Sequence, residues 1–202
     1  MAAPATSLLS GLVIAGGASS RMGRDKSGLL LGGETWWSRQ ARTLAAAGAT
    51  PVFLSRRPGQ AIPGPIPCIQ DVYTDIGPLA GLQAALARPA RPLIAVLAVD
   101  MPLVDSAWFA GLLAHCDAST GAVYGHEGFL EPLAAVYPAC ALALLQAHID
   151  ASRHSLQDLA RRLIAQGLLL SLPLPRPLQG RERSFNTPAS LAALGRRPGR
   201  GR

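Results

Sequence analysis

The stretch that decides the fold reads Gly11-Leu-Val-Ile-Ala-Gly-Gly-Ala-Ser-Ser-Arg-Met-Gly-Arg-Asp-Lys26. Its first five residues form a short apolar, partly β-branched run, which is typical of a buried strand. The glycines that follow permit positive φ and allow backbone N–H groups to approach a ligand closely. Because Arg21, Arg24 and Lys26 add cations beside this turn, the stretch predicts a phosphate-binding loop after a strand.

The lysine that ends this stretch is the only one in the chain, beside eighteen arginines. Arginine replaces lysine easily on a solvated surface, but a site that needs a compact ammonium does not accept the wider guanidinium. Chance survival of one lysine is the alternative, and the position of Lys26 at a glycine loop argues against it. Two common phosphate motifs do not fit. A Walker loop needs glycine where Asp25 stands, and the dinucleotide fingerprint needs glycine where Ala18 stands.

Composition predicts one domain. The chain has 202 residues, of which 49% are hydrophobic and 15% charged, so it can bury a core. We assign residues 1–195 to a single domain and 196–202 to a basic flexible tail. The net charge is +7, but four arginines lie in the last seven residues. The remaining charge indicates no basic face, so we expect no nucleic-acid partner.

Cysteine usage and hydropathy bear on the compartment. The three cysteines, Cys68, Cys116 and Cys140, are far apart and form no C-x-x-C pair, which argues against a disulfide scaffold or a zinc site. No apolar run reaches the ~18 residues of a membrane span. The first eighteen residues lack a positive charge before their apolar run, unlike a signal peptide. We therefore expect a soluble cytoplasmic monomer with no membrane partner.

Short apolar runs alternate with helical patterns, which predicts an α/β fold with a mostly parallel sheet. We expect Trp36 and Trp37 to pack a helix rather than stack on a base, and His126 and Glu127 to lie in a hairpin turn. The predicted strands are 11–15, 52–54, 66–70, 93–99, 122–124, 130–137 and 168–172, and the predicted helices are 35–47, 77–87, 106–115, 139–149, 156–166 and 188–194.

Asp100 follows the 93–99 strand, which is apolar at every position. In open α/β sheets ligands bind outside the carboxyl ends of the strands, where the glycine loop also lies. A carboxylate that faces a phosphate needs a bridging cation, and Mg²⁺ is the usual one. Asp100 could instead cap the following helix, but Asp105 and Ser106 are closer to its start. We therefore predict that Asp100 binds metal.

Several motifs resemble the molybdenum cofactor guanylyltransferases, a family of Rossmann-like nucleotidyltransferases. They are the 12–26 loop, Gly77-Pro-Leu-Ala-Gly81, Val99-Asp-Met-Pro102 and Asn186-Thr-Pro188. The resemblance covers about residues 11–195 and implies a Rossmann-like three-layer sandwich. It also implies a Mg²⁺-dependent transfer of GMP from GTP to molybdopterin with release of pyrophosphate, and possible partners among molybdoenzyme apoproteins or their chaperones.

The same resemblance implies site residues. Lys26, Asp100 and Arg21 would be catalytic, Asp100 would hold Mg²⁺, and Glu131 and Asn186 would border the acceptor. This chain departs from the family at Ser55, where asparagine is frequent, and at Ser184, the first position of the family's N-x-N-T-P pattern. The implied nucleotide contacts are Ile14, Ala15, Gly16, Gly17, Lys26, Ser55, Asp71, Gly77, Pro78, Leu79 and Asp100.

The mechanism that follows is an in-line attack by the terminal phosphate of molybdopterin on the α-phosphorus of GTP. The nucleophile is already an anion, so no general base is needed. One alternative is a cytidylyltransferase that uses the same pterin; its loop usually has alanine in the Gly16-Gly17 pair, so the two glycines favour guanine. Another is a non-catalytic protein that delivers the cofactor, which the presence of both Lys26 and Asp100 disfavours.

Overall fold

A computed structural model describes residues 8–15, 30–31, 33–60 and 64–185. Its centre is an eight-stranded sheet, and two short strands form a separate antiparallel pair. The strands are β1 (Leu9–Ile14), β2 (Leu30–Leu31), β3 (Glu34–Thr35), β4 (Val52–Arg56), β5 (Cys68–Gln70), β6 (Leu93–Ala98), β7 (Gly121–His126), β8 (Phe129–Leu130), β9 (Ala134–Pro138) and β10 (Leu169–Pro173).

The strand order in the large sheet is β10-β7-β9-β6-β1-β4-β5, with β8 paired to β7. Strands β6, β1, β4 and β5 run parallel. Strand β9 is antiparallel to both β6 and β7, and β10 is parallel to β7. Six strands therefore end at the same edge, which confirms the mostly parallel sheet. The strands predicted at 11–15 and 93–99 correspond to β1 and β6, which are adjacent and parallel.

In the described part of the chain, five α-helices cover the sheet: α1 (Trp36–Ala46), α2 (Pro78–Leu86), α3 (Ser106–Leu113), α4 (Leu142–Asp150) and α5 (Leu156–Ala165). Alternate residues of the buried strands face two separate cores. Leu9 and Val13 pack with α1 and α3, whereas Leu12 and Ile14 pack with α2, α4 and α5. The result is the three-layer sandwich expected from the sequence.

The first residues of two helices are capped by hydroxyl side chains. The Thr35 hydroxyl accepts from the Ser38 N–H at the start of α1, and the Ser155 hydroxyl accepts from the Asp158 N–H at the start of α5. Trp36 and Trp37 are buried in the core, as predicted. Among the described residues, no helix combines the length and hydropathy needed to cross a membrane.

The sequence misplaced some boundaries. The predicted 130–137 strand is two strands, β8 and β9, separated by a turn in which the Ala134 N–H donates to the Glu131 carbonyl. Pro132 lies inside that turn and has no N–H to give to a ladder, so one continuous strand was wrong. The β7–β8 hairpin is confirmed, with Glu127 and Gly128 in its turn, both with positive φ, but the placement of His126 in the turn was wrong: it is the last residue of β7 and pairs with Phe129. The predicted 188–194 helix and the 196–202 tail lie outside the described residues.

Candidate active site

The ends of β1 and β6 form the centre of the site. Ile14 lies opposite Ala98, and the Val99 N–H donates to the Ile14 carbonyl at 3.0 Å. Ala15 and Asp100 therefore leave the sheet side by side at its carboxyl edge. Ala15, the last described residue before the glycine loop, is thus close to the turn that carries the predicted metal ligand, Asp100.

Asp100 lies in a tight turn between β6 and α3. The Met101 N–H donates to the Ala98 carbonyl at 3.3 Å, and the Phe185 N–H donates to the Asp100 carbonyl at 2.9 Å. Asp100 does not cap α3, because the Asp105 carboxylate takes that role by accepting from the Trp108 N–H. The helix-cap interpretation of Asp100 is therefore wrong, and its half-buried carboxylate remains at the sheet edge.

Ser55 and Asp71 lie at the same edge, on β4 and directly after β5. Ser55 is opposite Ile14 in the register, and the Asp71 N–H donates to the Arg56 carbonyl at 2.9 Å. Both side chains are buried, and neither Ser55 Oγ nor Asp71 Oδ1 has a hydrogen-bond partner within the described part of the chain. A buried polar atom without a hydrogen-bond partner destabilises the folded state, so two such atoms at one place indicate a ligand site or another functional role.

Helix α2 lies close above these two side chains because residue 81 is glycine. A Cβ at Gly81 would lie 2.7 Å from Ser55 Oγ and 3.5 Å from Asp71 Oδ1. The first of these distances is shorter than a real Cβ contact, so any larger residue would push the helix away. Gly77, which precedes α2, has a φ of 62° and so also suits glycine. These two positions explain the glycines of the 77–81 motif.

Burial shifts the ionisation of Asp71. Its carboxyl is 5% exposed, and desolvation raises its pKa from 3.8 to about 6, against the opposing effect of the Arg57 cation. Asp71 is therefore mostly ionised at neutral pH and holds an under-solvated negative charge. Such a carboxylate binds a ligand with N–H donors at little further desolvation cost.

A cavity of about 790 Å³ opens between the end of β4 and the start of α2. Its size is in the range of small-molecule sites. Of the predicted nucleotide contacts, Asp71 and Gly77 line it. Leu79 does not: its exposed fraction is 0%, and it packs in the core with α4, so its contact with a nucleotide stays a prediction. The lining residues are Arg57, Pro58, Gly59, Gln60, Asp71, Tyr73, Thr74, Asp75, Gly77 and Ala80.

Sequence reasoning missed Arg57 and Tyr73 in this lining. A signal for Arg57 was available, since polar residues that follow a parallel strand lie at the ligand-binding edge.

Pro78 is half-buried at the first position of α2, and Ile14 and Ala15 are almost fully buried at the end of β1. Any ligand contact of Ile14 and Ala15 must therefore come from a small exposed part of each residue.

Glu131 lies on the other side of Asp100. The Ala98 N–H donates to the Leu133 carbonyl at 2.9 Å, which brings the 131–133 segment beside the end of β6. Burial, together with repulsion from Glu182, raises the pKa of Glu131 to about 7. The chain then reaches Asp100 again at Phe185, one residue before Asn186. The predicted acceptor side therefore borders the Asp100 turn.

Five predicted site residues, Gly16, Gly17, Arg21, Lys26 and Asn186, lie outside the described residues. Their roles stay predictions.

The residues present fit a divalent cation held jointly with a nucleotide. In the described ranges, no group of three or more histidine, cysteine or acidic side chains could enclose a metal. Mg²⁺ commonly takes only one or two carboxylates and completes its shell with phosphate oxygens and water. The half-buried Asp100 carboxylate beside the start of the glycine loop meets that requirement.

Comparison with known proteins agrees with this geometry. The model of the MobA-like NTP transferase domain matches residues 11–167. The chain belongs to this family. It is therefore a nucleotidyltransferase. It is 42% identical over 186 residues to a probable molybdenum cofactor guanylyltransferase of Opitutus terrae, a match that covers 90% of this chain and 92% of that one.

Solved structures of two other proteins share the fold. Molybdopterin-guanine dinucleotide biosynthesis protein A of Archaeoglobus fulgidus superimposes with a TM-score of 0.71 at 21% identity, covering 91% of this chain and 95% of that one. Rv0371c of Mycobacterium tuberculosis, solved in complex with manganese, superimposes with a TM-score of 0.61 at 19% identity, covering 93% and 97%. At these identities the likeness shows the fold alone. In this MobA-like chain, the matched 11–167 segment contains the ends of β1, β4, β5 and β6, which form the site.

Proposed function

We propose that this nucleotidyltransferase transfers GMP from GTP to molybdopterin and releases pyrophosphate. The observation that carries the proposal is that two carboxylates, those of Asp100 and Asp71, lie at the same edge of the sheet. Asp100 follows β6 next to the end of β1, and Asp71 lies in the cavity directly after β5, three strands along the sheet from β6. The name of the Opitutus terrae relative supports the same reaction.

Asp71 favours guanine over cytosine. The Watson–Crick edge of guanine presents two adjacent donors, N1–H and the N2 amino group, and a carboxylate can accept from both. Cytosine presents one amino donor next to two acceptors, which a carboxylate repels. Because Asp71 is buried, a mismatch there leaves a desolvated charge without a partner, and this is the costly case.

The acceptor is assigned to the opposite side of Asp100. Glu131 borders that side, and we assign Asn186 to it as well because it follows Phe185 in the sequence. The terminal phosphate of molybdopterin attacks the α-phosphorus in line, and pyrophosphate leaves. Lys26, Arg21 and the N–H groups of the glycine loop hold the phosphates and stabilise the charge that develops on the leaving group. No general base is needed, so no histidine has a catalytic role.

We assign Mg²⁺ to Asp100 and the phosphates of the nucleotide. When bound, the ion supplies charge neutralisation between the Asp100 carboxylate and the phosphate oxygens. A divalent ion is consistent with the manganese complex of the Mycobacterium tuberculosis relative in fold.

The proposal takes residues 1–195 as one domain that acts as a monomer, and leaves the 196–202 tail outside the site. Cys68, Cys116 and Cys140 are all free, which is consistent with the reducing cytoplasm. Delivery of the product to molybdoenzyme apoproteins or their chaperones is part of the same proposal.

The test is pyrophosphate release from purified protein incubated with Mg²⁺, molybdopterin and one nucleoside triphosphate at a time. We expect release with GTP and little with CTP, ATP or UTP. Release with CTP alone would support the cytidylyltransferase alternative. Binding of GTP without release from any nucleotide would support the delivery protein. The Asp100→Asn variant, which keeps the shape of the side chain, serves as the inactive control.

A further inference from the structure

Gln40 is a polar side chain in an apolar stripe. Helix α1 buries one face, on which Trp36, Gln40 and Leu44 follow each other at four-residue intervals. The exposed fractions of Trp36, Gln40 and Leu44 are 1%, 0% and 0%. A fully buried amide in the middle of a hydrophobic face requires a reason, because burying it costs free energy unless it is hydrogen-bonded.

The Gln40 amide forms hydrogen bonds to backbone carbonyls on both sides of Asp100. Its Nε2 donates to the Ala98 carbonyl at 3.2 Å and to the Met101 carbonyl at 2.8 Å. These two carbonyls lie on either side of Asp100 in the chain. A neighbouring side chain, Arg39, donates from Nε to the Pro102 carbonyl at 3.0 Å. Helix α1 thus holds the turn at three carbonyls.

Core stability alone does not account for the amide. Within the described ranges, Gln40 Oε1 is buried and accepts no hydrogen bond, which is an unfavourable arrangement. The Ala98 and Met101 carbonyls also accept from the N–H groups of Met101 and Val104, so the turn keeps its own backbone hydrogen bonds without Gln40. A methionine would fill the same volume without an orphaned oxygen. What the glutamine adds is a rigid link between α1 and the turn that carries Asp100.

We propose that Gln40, assisted by Arg39, is a positioning residue that fixes the Asp100 turn for binding of the metal–nucleotide complex. The inference rests on the proposed function, in which Asp100 holds the metal. Side chains that orient a metal ligand without touching the metal commonly affect metal affinity by 10- to 100-fold. Loss of the link lets the turn move relative to the glycine loop that starts beside it, so the carboxylate no longer meets the metal in one orientation.

The experiment compares GTP affinity, measured by calorimetry, in Mn²⁺ and in EDTA. The dissociation constant of GTP in EDTA, divided by its dissociation constant in Mn²⁺, measures the metal-dependent part of binding. We expect Gln40→Met to reduce this ratio about 10-fold, while GTP affinity in EDTA stays within twofold of the wild type. Arg39→Met, at a half-buried surface position, should change the ratio in the same direction and carries the test if Gln40→Met does not fold.

Gln83→Met is the matched control. Gln83 is a buried glutamine in α2 whose Oε1 also lacks a partner among the described residues, but its Nε2 donates to Gln146, away from the Asp100 turn. Gln83→Met should leave the ratio unchanged. An unchanged ratio in Gln40→Met, with normal pyrophosphate release by the wild type, overturns the positioning role and leaves the proposed function standing. A wild-type ratio near one overturns both.

Discussion

Replacing Asp71 by asparagine should make the free protein more stable and its nucleotide binding weaker. The carboxyl is almost fully buried, and its pKa rises from 3.8 to about 6. At about 1.4 kcal/mol for each pH unit, the ionised carboxylate costs the folded state about 3 kcal/mol at neutral pH. Asparagine has the same shape and no charge, so we expect Asp71→Asn to raise the unfolding free energy by up to about 3 kcal/mol at pH 7.5.

The contribution of Asp71 to the free energy of unfolding depends on pH. A raised carboxyl pKa means that the folded state binds a proton more readily than the unfolded state does. The wild type therefore gains stability from this group as the pH falls through about 6 towards 3.8. The advantage of Asp71→Asn should shrink to about 1 kcal/mol at pH 4.5. Urea unfolding of both proteins at the two pH values, without nucleotide, measures the difference.

The same substitution removes the charge and replaces one acceptor oxygen by an N–H donor, which faces the donors of guanine. We expect GTP binding to weaken about 10- to 100-fold, as for loss of hydrogen bonds to a charged group. Asp75→Asn is the control, because Asp75 lines the same cavity but is exposed. An Asp71→Asn protein that is less stable than the wild type at pH 7.5, or that binds GTP normally, would refute the reasoning.

Four further substitutions test other parts of the account. Lys26→Met and Asp100→Asn should each lower kcat about 10²- to 10³-fold with an unchanged melting temperature, and near-normal turnover removes that residue from the mechanism. Gly81→Ala places a methyl 2.7 Å from the Ser55 hydroxyl, so it should cost about 1–3 kcal/mol in urea unfolding and weaken GTP binding. Burial lowers the pKa of His148, whose ring contacts the Ser155 carbonyl and Arg162. The stability that the buried neutral His148 ring contributes is present above its ordinary pKa of 6.5 and is lost as the pH falls below that value. The difference in unfolding free energy between the wild type and His148→Asn should therefore be smaller at pH 5.5 than at pH 7.5.

Much of the fold could be predicted because the strongest signals are local. The apolar run at 93–99 identified the central strand β6, and its end placed Asp100 at the ligand-binding edge. Thr35 and Ser155 cap α1 and α5 within one residue of the predicted helix starts. The division of the predicted 130–137 strand was missed because apolar residues continue through a turn that Pro132 and the Ala134–Glu131 hydrogen bond create.

The parts of the site that could not be predicted depend on contacts between distant segments. Gln40 is separated by 58 and 61 residues from the carbonyls that it holds, so its sequence neighbours indicate only a helix. The need for glycine at position 81 comes from Ser55, which another strand supplies. Leu79 belongs to a motif near the site, whereas the helix turns its side chain into the core.

The central claim is that one nucleotide spans the sheet edge from Asp71 to Asp100. A crystal structure of the protein with GTP and Mn²⁺, with the metal located by its anomalous signal, tests this most directly. We expect the manganese peak within bonding distance of an Asp100 carboxylate oxygen, about 2.1–2.3 Å, and the guanine N1 and N2 atoms within hydrogen-bond distance of Asp71. Manganese away from Asp100, or a base outside the cavity that Asp71 lines, would contradict the account.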